Sequence, residues 1–383
     1  MGSRTTLRAW AWTLLAGLLA ACADRHAEPF GPARYDLAHC ARATLIDVSN
    51  GARVVGAEDL AVDRAARRLI VSAYDRRAAE RAARRGAFLV PEGGGYAVDL
   101  VELLARDGRL VPARPLAPPS RFAGGLRPHG LSFDPAAREI AFVNRSYQKI
   151  DRRWRMTPRL ERIGANGEVV FGGEAPAGCA ANDLASVGGA ALVTFDHGAC
   201  GWRAAMEDVF ALKRSGVAND DGARLFDGVQ YANGIAVAAD AAGEATLAVA
   251  ATREAAILRL ASTGGDLASG ERLRQVERID TPGGPDNLTV SPDGGVVAAV
   301  HPSLWRLALH RKLGIGDAPS RVVKVDVGGA RVEPLLDDPT GATFAGATVA
   351  VELGPSWGGA LVVGSATDAG LLVCRAPVER TRV

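Results

Sequence analysis

The chain has 383 residues, of which 48% are hydrophobic and 23% are charged, so its composition is that of a globular protein rather than a disordered one. Its 45 Lys and Arg residues nearly balance 43 Asp and Glu residues, and the formal charge of +2 excludes a typical nucleic-acid-binding protein. No apolar run after residue 22 is long enough to cross a bilayer, which excludes a multi-span membrane protein.

The N-terminus has the pattern of an export signal. Arg4 and Arg8 precede an apolar core of 13 residues, 9–21, which is too short for a stable membrane span. This core ends in Leu19-Ala-Ala-Cys22, which resembles the bacterial lipoprotein signal, whose Cys becomes the lipidated first residue. We therefore interpret residues 1–21 as a lipoprotein signal peptide and Cys22 as the lipidation site. A plain secretory signal is the alternative.

The lipoprotein resemblance implies an exported protein that is anchored to a bacterial membrane through its N-terminal lipid. Ala23 stands where an Asp would retain the protein at the inner membrane, which favours the outer membrane, facing the periplasm or the surface. Residues 23–44, which include Pro29 and Pro32, are interpreted as a tether.

Four cysteines follow the lipidation site, an even number that suits a disulfide-permissive compartment. Four cysteines allow three pairings, of which we favour Cys179 with Cys200 and Cys40 with Cys374. A zinc site is less favoured because no pair has the spacing of a zinc motif. Buried free thiols are the other alternative.

A pattern of polar residues followed by two short apolar strands recurs six times. One residue of each repeat serves as a marker of its position, and successive markers lie 70, 53, 51, 53 and 62 residues apart. The markers are Asp59, His129, Asn182, Asn233, Asp286 and Thr348. A repeat of about 50 residues built from strand pairs is typical of a β-propeller. The sequence therefore predicts an all-β fold over residues 45–376, a six-bladed propeller of four-stranded antiparallel sheets, followed by a tail at 377–383.

Two small helical inserts are predicted, at Arg76–Arg85 and at Trp202–Leu212, where charged and apolar residues share a helical period. The first of them is strongly basic. We interpret it as a solvated surface helix, with a lid over one end of the propeller axis as the alternative.

The polar residues of the repeat stand just before the innermost predicted strand of each unit. The propeller geometry would bring them together at one end of the central channel. Converging carboxylate and amide oxygens are the ligands that Ca²⁺ prefers, and the absence of thiolates from this set argues against zinc or copper.

These motifs resemble those of the paraoxonase/arylesterase family of calcium-dependent six-bladed propellers, and more distantly those of gluconolactonases. The resemblance covers most of residues 45–376, and its motifs occur in the family's order. They are Gly56-Ala-Glu-Asp-Leu60, Pro128-His-Gly-Leu131, Asn182-Asp183-Leu, Phe195-Asp-His197, Ala232-Asn-Gly-Ile235, Asp286-Asn287, Val300-His-Pro302 and Val373-Cys374.

Carried over residue by residue, the resemblance implies two calcium ions. The ion in the active site would be held by Glu58, Asn182, Asn233, Asp286 and Asn287. A deeper structural ion would be held by Asp59, the backbone carbonyl of Leu131, and Asp183.

The chemistry implied by the resemblance is hydrolysis of lactones or aryl esters, with organophosphate hydrolysis as a side activity. Calcium would polarise the substrate carbonyl, and water would attack it with the help of a general base. His129 is the expected base, and His197 and His301 are reserve candidates.

The chain departs from the family in two places. Arg145 stands where the family has a second histidine beside the base, and since an arginine stays protonated it cannot relay a proton. It could instead bind a carboxylate or a phosphate of the substrate. Cys40 lies several residues upstream of the family's N-terminal cysteine.

The leading hypothesis is thus a calcium-dependent lactonase or arylesterase that acts on a small-molecule ester or lactone and binds no nucleic acid. The alternative is a non-catalytic propeller lipoprotein that binds a sugar or a protein and uses calcium only for stability.

Overall fold

The computed structural model describes residues 30–105, 110–164, 166–239, 242–326 and 331–376. The segment interpreted as a signal peptide, the expected lipidation site Cys22, the first part of the expected tether and the C-terminal tail lie outside the described residues. No helix among the described residues is long and apolar enough to span a membrane.

The described residues form 26 strands. The first thirteen are β1 Cys40–Asp47, β2 Ala57–Asp63, β3 Arg68–Ala73, β4 Gly94–Asp99, β5 Leu110–Pro115, β6 Pro128–Asp134, β7 Glu139–Asn144, β8 Tyr147–Ile150, β9 Arg153–Met156, β10 Arg159–Gly164, β11 Val169–Glu174, β12 Ala181–Val187 and β13 Ala190–Phe195. The others are β14 Ser215–Asn219, β15 Arg224–Val229, β16 Ala232–Ala239, β17 Ala245–Ala251, β18 Ala256–Ser262, β19 Leu273–Asp280, β20 Gly284–Val290, β21 Val296–His301, β22 Ser320–Val325, β23 Val332–Asp338, β24 Ala347–Glu352, β25 Leu361–Ser365 and β26 Leu371–Cys374.

Helices are few and short in the described part of the chain. The α-helices are α1 Arg76–Arg84, α2 Leu100–Ala105, α3 Trp202–Val209 and α4 Leu304–Leu313. Single 3₁₀ turns are found at Leu37–His39, Pro119–Arg121, Gly178–Ala180, Thr252–Glu254, Leu267–Ser269 and Pro355–Trp357.

Four-stranded antiparallel sheets dominate the fold, as predicted. Separate sheets are formed by β6, β7, β10 and β11, by β12–β15, by β16–β19 and by β20–β23. An eight-stranded sheet contains two further groups of four, β2–β5 and β24–β26 with β1, which are joined where β1 runs parallel to β5. Strands β8 and β9 form a separate hairpin.

The first strands of the six groups contact one another in a closed cycle. Strand β2 contacts β6, and the cycle continues through β12, β16, β20 and β24 back to β2. Apolar side chains fill the space between neighbouring groups. The run Thr246–Ala251 in β17 is buried on both faces, which confirms the expectation that such continuous apolar strands are covered by neighbouring sheets.

The two ends of the described chain meet in one sheet. Strand β1 pairs antiparallel with β26, and a disulfide joins Cys40 to Cys374. A second disulfide joins Cys179 to Cys200, so both favoured pairings are confirmed. Residues 40–44, which the sequence analysis assigned to the tether, form the first half of β1.

Both predicted helical inserts are present, as α1 and α3. Helix α4 was not predicted, although its ends carry ordinary signals. Ser303 caps its N-terminus by accepting a hydrogen bond from the Arg306 backbone, and Gly314 adopts a left-handed conformation after its last turn.

The Cys40–Cys374 bridge should stabilise the fold more than the Cys179–Cys200 bridge, because it links residues 334 apart rather than 21 apart. In the chain-entropy description a longer loop removes more freedom from the unfolded chain. We expect the Cys40→Ser/Cys374→Ser protein to lose about 2 kcal/mol more free energy of unfolding than the Cys179→Ser/Cys200→Ser protein. Urea unfolding of both double variants measures the difference, and equal losses would contradict the closure argument.

Candidate functional site

Each of the six first strands has a shift of register against its second strand close to its beginning. The shifts lie between Ala57 and Asp59, Pro128 and Leu131, Ala181 and Leu184, Ala232 and Ile235, Pro285 and Leu288, and Ala347 and Val349. Such irregularities re-aim side chains out of the strand alternation. The residues at these shifts are the polar markers of the sequence repeat, and all of them are buried.

Two glycines at these shifts are required by close approach to the next sheet. A Cβ on Gly130 would lie 2.2 Å from the Asp183 carboxylate, and a Cβ on Gly234 would lie 2.3 Å from the Asp286 carbonyl oxygen. The glycines of the His-Gly-Leu and Asn-Gly-Ile motifs therefore let adjacent first strands approach each other.

A cavity of about 410 Å³ opens at this end of the first strands. It is lined by most of the predicted site residues, namely Glu58, His129, Arg145, Asn182, His197, Asn233, Asp286 and His301. A second cavity of about 290 Å³ is lined by residues that follow on the same strands, including Leu131. The structure thus brings together residues from separate sheets, as the repeat predicted.

A buried arginine contacts two of the predicted site residues. The Arg76 guanidinium, 4% exposed, lies 2.9 Å from the Glu58 carboxylate and 2.8 Å from Nδ1 of His129. Burial raises the pKa of Glu58 despite the opposing charge of Arg76. Burial, together with the charges of Arg145 and Arg76, lowers the pKa of His129 well below its ordinary value.

This contact corrects one expectation. Helix α1 was interpreted as a solvated surface helix, whereas its first residue, Arg76, reaches into the site and Ala79 is also buried. The signal was present in the sequence, because Arg76, Ala79 and Ala83 recur on one face of the helix while the other arginines occupy the opposite side.

The general-base role fits the three histidines unequally. A guanidinium can only donate, so Nδ1 of His129 accepts from Arg76 and its lone pair is engaged. Nε2 of His301 lies 2.7 Å from the Asp286 carboxylate, which accepts a hydrogen bond from it, and the buried Nδ1 has no hydrogen-bond partner among the described residues. His301 therefore has the arrangement of a base that is oriented by a carboxylate.

His197 does not have the geometry of a base. Its ring nitrogens lie 2.8 Å from Asp196 and 3.1 Å from Asp208, so both are engaged by carboxylates. Burial opposes its charge, but these two hydrogen bonds outweigh burial and raise the pKa of His197 to about 10. The protonated ring links the loop after β13 to helix α3.

Arg145 follows β7, at the position where the resemblance places a second histidine. Its backbone N–H donates to the Arg127 carbonyl oxygen, and its side chain lines the cavity. The Nε atom is buried without a hydrogen-bond partner in the described part of the chain.

Two deeper carboxylates each accept hydrogen bonds from two backbone N–H groups. Asp59 accepts from the backbone N–H groups of Leu60 and Leu131, and Asp183 accepts from those of Leu184 and Ile235. The group of Leu131 that faces Asp59 is therefore its N–H. Burial raises the pKa of Asp59 to about 7, and burial and the charge of Asp59 raise that of Asp183.

The donor chemistry of the cavity fits a hard cation. The Oδ1 atom of Asn182 is buried with no hydrogen-bond partner among the described residues, and it stands among further amide and carboxylate oxygens. The described residues contain no group of three or more His, Cys, Asp or Glu side chains arranged for a metal. A calcium site here would therefore depend on the asparagine amides as well as on Glu58 and Asp286.

The side chains of this set contact one another. Asn233 donates to one oxygen of Asp286, and Asn182 donates to Asp196 at 3.4 Å. The amide of Asn287 donates to the backbone carbonyl oxygen of Glu58, which also accepts from Thr348 at 2.9 Å. The Asn182 contact lies within one sheet group, and the other contacts connect four further groups, those that begin with β2, β16, β20 and β24.

Comparison with solved structures gives similar chains of diverse chemistry. A gluconolactonase from Xanthomonas campestris is 17% identical, with 91% of this chain and 99% of that chain covered and a TM-score of 0.48. The periplasmic gluconolactonase of Pseudomonas aeruginosa is 12% identical (87% and 94% covered, TM-score 0.46), and virginiamycin B lyase of Staphylococcus aureus is 11% identical (67% and 72% covered, TM-score 0.36). No protein-family profile and no curated protein matches the chain.

Removal of the Asp59 carboxylate should lower stability. The Asp59→Ala protein leaves two buried backbone N–H groups without acceptors, and we expect a loss of roughly 2–5 kcal/mol in the free energy of unfolding. Asp134→Ala is the matched control, because Asp134 also accepts from two backbone N–H groups, but in an exposed turn where water replaces it. Equal losses in urea unfolding would show that burial of the Asp59 contacts is unimportant.

The His197 contacts should make stability depend on pH. Because the folded-state pKa is raised from 6.5 to about 10, their contribution is full below pH 6.5 and declines as the pH rises toward 10. We expect the stability difference between wild type and His197→Gln to shrink between pH 6 and pH 10 in urea unfolding. His39→Gln, at an exposed histidine, should show no such trend.

Proposed function

We propose that this chain is a six-bladed β-propeller that hydrolyses lactones or aryl esters at the described cavity, with calcium as its metal. The single observation that supports the proposal most is the burial, around one cavity, of polar residues from the register shifts of successive first strands. The propeller assignment is supported by the closed cycle of first strands, with the eight-stranded sheet counted as two blades.

The residues proposed to hold the ion in the cavity are Glu58, Asn182, Asn233, Asp286 and Asn287. When bound, calcium would supply Lewis-acid polarisation of the substrate carbonyl. Asp59, Asp183 and the carbonyl of Leu131 are proposed for a deeper structural ion, which would offset the cost of burying two carboxylates close together.

The residues of the chain would position and deprotonate the attacking water. We assign the base role to Nδ1 of His301 rather than to His129, because the lone pair of His129 already accepts from Arg76. Asp286 accepts a hydrogen bond from Nε2–H of His301, which holds the proton on Nε2 and leaves the lone pair on Nδ1. His129, held neutral by its surroundings, would help to orient Arg76 and Glu58.

One observation favours a second candidate function. Arg76 already supplies a positive charge at Glu58, one of the proposed calcium ligands. If that ion pair persists in solution, Glu58 is not available to hold a catalytic calcium ion. The cavity would then be a binding site for a sugar or a protein segment, and calcium would serve only for stability.

The location of the protein is part of the proposal. We place it outside the cytoplasm, attached by lipid at Cys22 and directed to the outer membrane. The two disulfides of the described chain are consistent with an oxidising compartment.

The hydrolase proposal predicts turnover that depends on calcium. We expect a panel of γ- and δ-lactones and phenyl acetate, followed by pH-stat, to be hydrolysed by the purified protein. Activity should be lost in EGTA and should return with calcium, and Asp286→Ala should lose activity because it removes a ligand and the partner of His301. A calcium-dependent melting temperature without turnover on any substrate would instead support the binding candidate.

Two histidine variants test the base assignment in the same assay. Loss of a general base costs on the order of 10²–10⁴ in kcat. We expect a decrease of that size for His301→Gln and a smaller one for His129→Gln, with His39→Gln unchanged as the control. The reverse order would return the base role to His129.

A further inference from the structure

More cationic side chains than carboxylates line the cavity. The basic side chains that line it are Arg76, Arg145, Arg253, Arg311 and Lys312, and the carboxylates are Glu58, Asp196, Asp208 and Asp286. His197 adds a further positive charge, because each of its ring nitrogens donates a hydrogen bond to a carboxylate and must therefore carry a proton. Six cations thus face four carboxylates among the described lining residues.

Every one of these carboxylates already has a partner. Glu58 pairs with Arg76 at 2.9 Å, and Asp286 bonds to His301 at 2.7 Å. Asp208 is shared between Arg253 and His197, each at 3.1 Å, and His197 also bonds to Asp196. Arg76, Arg253 and His197 thus balance Glu58, Asp208 and Asp196, and among the described lining residues only Asp286, which a neutral His301 does not neutralise, is left to oppose the other cations.

Three of the described lining cations are left over, namely Arg145, Arg311 and the exposed Lys312. Arg145 and Arg311 line the cavity, and no carboxylate lies within ion-pair distance of either in the described part of the chain. The Nε of Arg145 is in addition buried without a hydrogen-bond partner. A partly buried guanidinium with unmet donors is costly in a folded protein unless something from outside accepts from it.

Both unpaired arginines line the cavity that also holds Glu58, Asp286 and His301, three residues of the proposed reaction centre. They come from different elements, Arg145 from the end of β7 and Arg311 from helix α4, so an anion between them would bridge two parts of the cavity.

We propose that the substrate is anionic: a lactone or ester whose carboxylate or phosphate group is bound by Arg145 and Arg311 while its acyl group lies at the reaction centre. This inference rests on the proposed hydrolase function and names its substrate class. Guanidinium groups bind carboxylate and phosphate in the same bidentate manner, so the two anions share one recognition chemistry.

The rest of the cavity suits the uncharged part of such a molecule. Met156, Leu304, Leu307 and Ala308 provide an apolar lining, and three of them belong to α4, the helix that also carries Arg311. An acyl substrate with a short carbon skeleton would thus place its apolar part and its anionic group against the same helix.

Matched substrates test the proposal. The first pair is γ-butyrolactone-γ-carboxylate and its neutral methyl ester, which share the same lactone ring. The second pair is phosphorylated and unphosphorylated gluconolactone. We expect kcat/KM for the anionic member of at least one pair to exceed that of the neutral member by about tenfold or more, and the preferred pair identifies the anion.

Arginine variants connect this preference to the two residues. Arg145→Gln and Arg311→Gln should each raise KM for the preferred anionic substrate by about tenfold more than they raise KM for its neutral partner, so that the preference for the anion falls. Arg274→Gln removes the same charge at an exposed position on β19 and is the matched control. Equal use of neutral and anionic substrates, or an equal loss of kcat on both, would overturn the assignment.

A binding measurement separates this inference from the proposed function. Glutarate is a dicarboxylate that the protein cannot hydrolyse, and its binding can be followed by isothermal titration without any turnover. Binding that weakens in both glutamine variants supports the anion site even if no lactone is hydrolysed, in which case the hydrolase proposal fails alone. Lactone turnover without anion preference or glutarate binding would overturn the anion site alone.

Discussion

The constraint on which the structure depends is the hydrogen bonding of buried backbone groups where the first strands shift register. A register shift leaves carbonyl and N–H groups without ladder partners, and when these groups are buried they need hydrogen-bond partners from elsewhere in the fold. Hydroxyls from one sheet fill this role for the next: Ser72 donates to the carbonyl of His129, and Thr194 donates to that of Asn233. The side chains of the cavity are held in place by the same bonds that join the sheets.

The electrostatics of the cavity follow from its burial. Carboxylates and a histidine that would be charged and solvated at a surface here have shifted pKa values, and they are stabilised only by specific partners. Arg76, His301 and His197 each occupy such a position. A site that contains several acidic residues can therefore still have an excess of positive charge, because these residues are bound by neighbours within the protein and are outnumbered by cations.

The sequence repeat predicted the strand pairs and the polar residues around one cavity, because each depends on short-range pattern and on the symmetry of a repeated unit. The disulfides were predicted from the positions of the cysteines, one pair on either side of a predicted strand pair and the other near the two ends of the propeller region. The repeat has its limits. It did not predict the role of Arg76, since the composition of α1 is that of an exposed helix and only its alanine face indicates which side is buried. The bonds of His197 were also missed, because Asp208 lies on a helix whose position relative to β13 is set by tertiary packing. Pairwise contacts of this kind leave no periodic signal.

The sharing of one sheet by both chain ends has a consequence for biosynthesis. Strand β1 is made long before β26, its partner across the Cys40–Cys374 bridge, so the last group of strands cannot assemble until the C-terminal strands have emerged. A chain that is still being synthesised must therefore keep β1 unpaired on that side, with an exposed edge that can pair with wrong partners. A chain truncated before β26 would lose its final strand and, with it, the pairing and the disulfide that join the two ends of the described chain.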